Sequence, residues 1–126
     1  MTFLPIKSDL VTVAGGKADI LTVDGRTAYR FEEDGDKPSR VTCLNDCLEI
    51  WPPVLIDGAK ITSLAGVDQK LVGTVTRSDG HSQVTYNGWP LYRFVEDKVK
   101  GDVKGEGLGF NWSTIKPNGK PVFKKR

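Results

Sequence analysis

The feature that most constrains this chain is that part of it is written twice. Residues 22–34 read Thr-Val-Asp-Gly-Arg-Thr-Ala-Tyr-Arg-Phe-Glu-Glu-Asp, and residues 85–97 read Thr-Tyr-Asn-Gly-Trp-Pro-Leu-Tyr-Arg-Phe-Val-Glu-Asp. The offset is 63, half of the 126 residues. Downstream the match loosens but persists, with Trp51 and Trp112 following Asp34 and Asp97 by 17 and 15 residues. Self-similarity at a fixed period marks a duplicated structural unit. The expected repeats run over about 18–56 and 81–117. A half of roughly 60 residues buries too little surface to stand alone, so a single domain, 1–126, is expected.

Each copy has the pattern of a hairpin. Asp24-Gly25 and Asn87-Gly88 are strong signals for a two-residue turn, in which both central residues take positive φ. Ile20–Val23 and Ala28–Phe31 flank the first turn; Gln83–Tyr86 and Leu91–Phe94 flank the second. Strand alternation puts Tyr29 and Phe31 on one face with Arg30 on the other, and Tyr92 and Phe94 likewise against Arg93. Further strands are predicted at 10–14, 71–77, 111–115 and 120–124. Thirteen valines, six isoleucines and ten threonines agree with a strand-rich fold. Helix is predicted once, from Thr42 as N-cap, with Cys43, Cys47, Ile50 and Trp51 on one face and Pro52-Pro53 ending it. The expected fold is therefore all-β: a compact sandwich or barrel-like domain of two related β-hairpin repeats, with one short disulfide-pinned helix near 42–51.

Charge and cysteines narrow the function. Eighteen basic against sixteen acidic side chains leave a net charge of +2, too balanced for a nucleic-acid binder. No run approaches the 18 apolar residues of a membrane span. The basic end, Lys116, Lys120, Lys124, Lys125 and Arg126, reads as a solvated tail or a phosphate or headgroup contact. Cys43 and Cys47 fit one disulfide, and hence an oxidising compartment. The rivals are a reduced thiol pair and half of a metal site, although His81 is the only histidine available to complete one. Met1–Pro5 lacks the basic start and apolar core of a signal peptide, so any leader is expected to be absent from this chain.

The doubled Tyr-x-Phe-x-x-Asp motif (Tyr29, Phe31, Asp34 and Tyr92, Phe94, Asp97) resembles the bacterial secreted and lipoprotein repeat family of unknown function. Cys-x-x-x-Cys followed by Trp51-Pro52-Pro53 is similar to the family's first repeat. Asn87-Gly88-Trp89-Pro90-Leu91-Tyr92 and the glycine-dense run from Gly101 are similar to its second. The resemblance covers about 18–117. It implies a secreted or cell-envelope address, periplasmic or surface-anchored and often through a lipid anchor, and no established activity. Against the family pattern, neither a leader nor an anchor cysteine is expected within residues 1–126.

Catalytic patterns are weak. A Ser-His-Asp arrangement would have to use His81 in a predicted turn, with no nucleophile-elbow pattern nearby. The glycines at 105, 107 and 109 do not have dinucleotide-loop spacing. Asp34 and Asp97 are an equivalent pair that either share a proton across a pseudo-twofold axis or each fix a turn; repetition favours the turn. Tyr29, Phe31, Tyr92, Phe94, Trp51 and Trp112 read chiefly as packing, the alternative being a cleft for a flat ligand such as haem, a quinone or a sugar. Calcium near Asp97, Asp102 and Glu106 matches no recognised loop. No cofactor is expected. Trp89 has no counterpart in the first copy, where Arg26 stands, and is the expected partner-contact residue, with Tyr86, Asp102 and Glu106 in the surrounding surface. The expected function is a non-catalytic bacterial envelope module binding a partner protein or small ligand. The rivals are a small redox protein using Cys43–Cys47 or a bound cofactor, and a structural surface spacer. Nucleic acid is not an expected partner, and a membrane only through a lipid anchor.

Overall fold

The computed structural model describes residues 10–15, 20–23, 25–56, 60–63, 67–99, 101–116 and 118–122. Among the described residues, eleven short strands form four small sheets. Strands β1 (Leu10–Gly15), β2 (Leu21–Val23) and β3 (Arg26–Thr27) form an antiparallel meander, and β7 (Lys60–Ser63) adds to β1 in parallel. In the second repeat, β8 (Val72–Thr76), β9 (Ser82–Tyr86) and β10 (Trp89–Pro90) form the equivalent meander. Asn87 and Gly88 take φ of 51° and 83°, the pair of positive angles that a type I′ turn demands. Strand β4 (Tyr29–Phe31) pairs with β11 (Trp112–Thr114), and β5 (Gly35–Asp36) with β6 (Ser39–Arg40). Of the predicted strands, 10–14, 71–77 and 111–115 are present; at 120–124 there is only a bridge from Pro121 to Ile115, and residues 123–126, with Lys124, Lys125 and Arg126, lie outside the described residues. Asp24 lies outside them too.

The two repeats exchange strands. Tyr29 N–H donates to the Tyr92 carbonyl at 2.8 Å, and Tyr92 N–H returns the bond to Tyr29 at 2.9 Å. Tyr-Arg-Phe of the first repeat runs against Trp112-Ser113-Thr114 of the second. Tyr92-Arg93-Phe94 runs against Trp51-Pro52-Pro53 of the first, through a bridge from Tyr92 to Pro53 and a 2.7 Å bond from Arg93 N–H to the Pro52 carbonyl. The registers are equivalent, yet only the first pairing makes a full ladder. Pro52 and Pro53 have no N–H to donate, which is why the expected second strand at 91–94 shrinks to a single bridging residue, Tyr92.

The helix is shorter than predicted. It spans Cys47–Ile50 (α1) after Asp46, whose side chain makes no cap bond. Thr42 is not its N-cap: its N–H and hydroxyl both donate to Asp34 Oδ1 at 2.7 Å. Asn45, at φ 55°, breaks any continuous helix from Thr42. The disulfide is present, with Cα atoms 5.3 Å apart, so the helix is cystine-pinned but only about one turn long.

Two buried clusters fill the interior. Leu21, Val23, Ala28, Val54, Ile56, Val84, Tyr86, Leu91 and Ile115 form an aliphatic one between the meanders. Tyr29, Cys43, Trp51, Tyr92, Phe94 and Trp112 form an aromatic one where the repeats cross.

Candidate functional site

Six of the repeated motif side chains build the crossing point itself. Phe31, Trp112, Trp51 and Phe94 stack in that order, with centroid spacings of 4.3, 3.7 and 4.5 Å. Ring origin alternates along the stack between first and second repeat. Tyr29 packs edge-on to Trp51 at 5.3 Å, and Tyr92 packs edge-on to Trp112 at the same distance. Each such pair is worth about 0.5–1.5 kcal/mol beyond its area burial. The rings thus pack chiefly against one another.

The aspartates are swapped in the same way. Tyr29 Oη donates to Asp97 Oδ2 at 2.6 Å, and Tyr92 Oη donates to Asp34 Oδ2 at 2.8 Å. Each carboxylate's other oxygen accepts from its own loop: Asp34 Oδ1 from Thr42, Asp97 Oδ1 from Lys104 N–H at 3.0 Å. The carboxylates thus tie turn to partner repeat instead of pairing with each other. Burial pushes the Asp34 carboxyl above its ordinary value, against the pull of its Thr42 and Tyr92 donors. Burial, with the neighbouring carboxylate adding, drives Tyr29 and Tyr92 well above the usual phenol range.

The remaining acids of the second loop have separate tasks. Asp102 Oδ2 accepts from Lys98 and Val99 N–H, while Glu106 Oε1 accepts from Thr114 N–H and hydroxyl at 2.7 Å. Among the described residues, no three His, Cys, Asp or Glu side chains gather to hold a metal. Gly105 lets this loop lie against the rings: a Cβ there would come within 2.7 Å of the Trp51 ring. The cystine of the first loop packs onto the same cluster, with Cys43 only 1% exposed.

Tyr86, expected on a binding surface, is wholly buried, its hydroxyl accepting from Asp68 N–H at 3.1 Å. It pairs with Trp89 across the hairpin, and the alternation faces it inward to the aliphatic cluster. Trp89 is half-buried, not exposed, because the Arg30 guanidinium lies 3.8 Å from its ring centroid. Arg30 is in turn gripped in bidentate fashion by Glu32, at 3.1 and 3.0 Å. The Trp89 position is therefore closed from within.

The equivalent position in the other half is open. There Arg26 stands for Trp89, Arg93 for Arg30 and Val95 for Glu32. A pocket of about 160 Å³ lies between them, lined by Arg26, Thr27, Pro52, Arg93, Phe94, Val95 and Asp97. Arg26 Nη1 donates to the Asp97 carbonyl at 2.9 Å, and Arg93 Nη2 to the Val23 carbonyl at 3.3 Å. Arg93 is 5% exposed and Val95 41%. Sequence reasoning passed over this site because it sought the residue without a counterpart, Trp89, and did not ask what stood at that residue's position in the other copy. Arg26 and Val95 were legible as departures from the repeat. Arg77, buried and bonded to Gln83, Asp79 and the Cys43 carbonyl, was also missed; its role is to tie the cystine loop to the second meander.

A model of a protein family described as a secreted repeat of unknown function matches twice, over residues 11–55 and 73–116. Both matches take in the meander's first strand, β1 or β8. No curated protein and no solved structure matches the chain significantly.

Proposed function

The chain belongs to this family of secreted repeats, and on that footing we propose that it is a non-catalytic module of the bacterial cell envelope that holds a small ligand. The observation that carries this reading is the unequal treatment of two equivalent positions. Residues shared by both copies are consumed in the crossing point, where each Tyr, Asp and Trp has a structural partner. The differences leave one position plugged by Trp89 and Arg30, and the other as a pocket between Arg26 and Arg93. Pockets with apolar walls and a few convergent polar groups are where small molecules bind. Packing of the cystine against the aromatic cluster favours a staple over a thiol-exchange centre. Native mass spectrometry of protein isolated from its host's envelope fraction should show a bound species removed by denaturation. Material free of any bound molecule would return the domain to a structural spacer.

A further inference from the structure

A bare sheet edge is a template for another strand, and folded chains blunt theirs with charge, proline, brevity or a cover. Among the described residues, the two meander sheets do so at every outer strand but one. Strand β3 is two residues long and carries Arg26, and β7, which covers β1 over Leu10–Val13, begins with Lys60. Strand β10 carries Pro90, and Ser39 Oγ closes over its turn by donating to the Gly88 carbonyl at 2.6 Å. Strand β8, Val-Gly-Thr-Val-Thr, is the exception: an outer strand with neither charge nor proline, paired with β9 without a bulge. Val72 holds the place of Val13, since they pair with Tyr86 and Val23, equivalent by the repeat. Where β7 covers the residues leading to Val13, the second repeat has a 3-10 turn, Gln69–Leu71. Beyond it β8 runs on uncovered among the described residues.

The bonding of β9 fixes which groups of β8 face outward. Val84, opposite Thr74, donates its N–H to the Val54 carbonyl and accepts at its own carbonyl from Leu91 N–H, both away from β8. Ladder bonds alternate along an antiparallel pair, so Gly73 and Val75 bond to β9 while Val72, Thr74 and Thr76 turn their N–H and C=O groups outward. Thr74 and Thr76 are exposed. We infer that this edge joins two copies of the chain, β8 against β8, antiparallel about Thr74. The edge is self-complementary in that register. Val72 meets Thr76 of the second copy and Thr74 meets Thr74, so every outward residue faces another, the arrangement in which both main-chain bonds are exchanged. Two three-stranded sheets become one of six strands, and the isologous contact closes at two copies. The same two-fold brings exposed Lys70, before β8, beside exposed Asp79, after β8 of the second copy. Asp68 is already turned to the Lys70 N–H.

The test is sedimentation of the whole chain over a range of concentrations, with a reversible monomer–dimer equilibrium expected. Thr74→Pro removes an outward N–H and leaves the β8–β9 bonds in place, so it should weaken dimerisation at least about tenfold. Thr74→Lys and Thr74→Glu each set like charges face to face and should weaken it at least about fivefold. An equimolar mixture of the two charged variants should recover a heterodimer. Near-ultraviolet circular dichroism checks that each variant keeps its ring stack; if Thr74→Pro does not fold, the charged variants, altered at an exposed side chain, carry the test. A chain that stays monomeric throughout, or whose copies add without limit, overturns the proposal. So does a dimer that the folded variants leave unweakened, and so does a mixture that associates no better than either charged variant alone.

Discussion

The first repeat delivers Trp51 to the ring stack from a turn closed by Cys43–Cys47 and ended by Pro52-Pro53; the second delivers Trp112 from a glycine-dense loop pinned by Glu106. The routes differ in length by two residues and share no chemistry, yet the rings arrive 3.7 Å apart and 4° from parallel. What duplication preserves is the crossing point: reciprocal tyrosine backbone bonds, swapped Tyr–Asp pairs and alternating rings. What it releases is the connection between those points, and the Arg26/Trp89 position with it. A contact that both copies must make for either to be covered cannot drift, because losing it in one exposes the other. A loop, or a pocket at one end, carries no such penalty.

The largest expected effect breaks the crossing point directly. Trp51→Ala and Trp112→Ala should each lower unfolding free energy by about 3–5 kcal/mol, the usual cost of removing a buried aromatic ring, and by similar amounts. The double variant should cost less than the sum, since the rings are each other's partners. Denaturant midpoints check this; a strongly unequal pair would show that the two copies are not mechanically equivalent.

A smaller effect separates the loops. Replacing Cys43 and Cys47 together by serine should cost about 2 kcal/mol, because the cystine closes only a short loop. The second repeat manages the same delivery without one, so the variant should stay folded with its ring stack intact in near-ultraviolet circular dichroism. Collapse of that signal would mean that the first loop, unlike the second, depends on a covalent closure.

The smallest effect tests one carboxylate. Because burial raises the Asp34 carboxyl above its ordinary 3.8, between 3.8 and the raised native value the folded chain holds a proton there that the unfolded chain has released. Its contribution to stability is therefore present below 3.8 and is lost as pH rises through the raised native value. Asp34→Asn keeps an acceptor for Thr42 and should flatten that part of the stability–pH curve. An unchanged slope across the carboxylate range would show that Asp34 does not titrate separately in the native state.

Much of the fold was legible. The 63-residue offset announced the duplication, the Asn87-Gly88 pair announced its turn, and strand alternation placed Tyr29 and Tyr92 inward. Thr42 misled because its hydroxyl serves equally well as a helix cap or as a donor to a carboxylate; only the position of Asp34 decides which. The second Tyr-Arg-Phe strand failed to form for a reason that was on the page, in Pro52-Pro53, but which matters only once those prolines are known to be its partner. Trp89 looked like a surface anchor because nothing in linear order reveals that Arg30 lies across its ring.

Periodicity, turn chemistry and the spacing of Tyr, Phe, Asp and Trp were thus set by the sequence alone, because they act over a few residues or repeat at a constant offset. The exchange of strands, the swapped Tyr–Asp pairs and the plugged and open ends were decided by the tertiary structure. They join residues 39 to 85 positions apart, from Pro53 with Tyr92 to Tyr29 with Thr114, and at such separations only packing determines which of two equivalent partners, that of its own repeat or that of the other, a side chain meets.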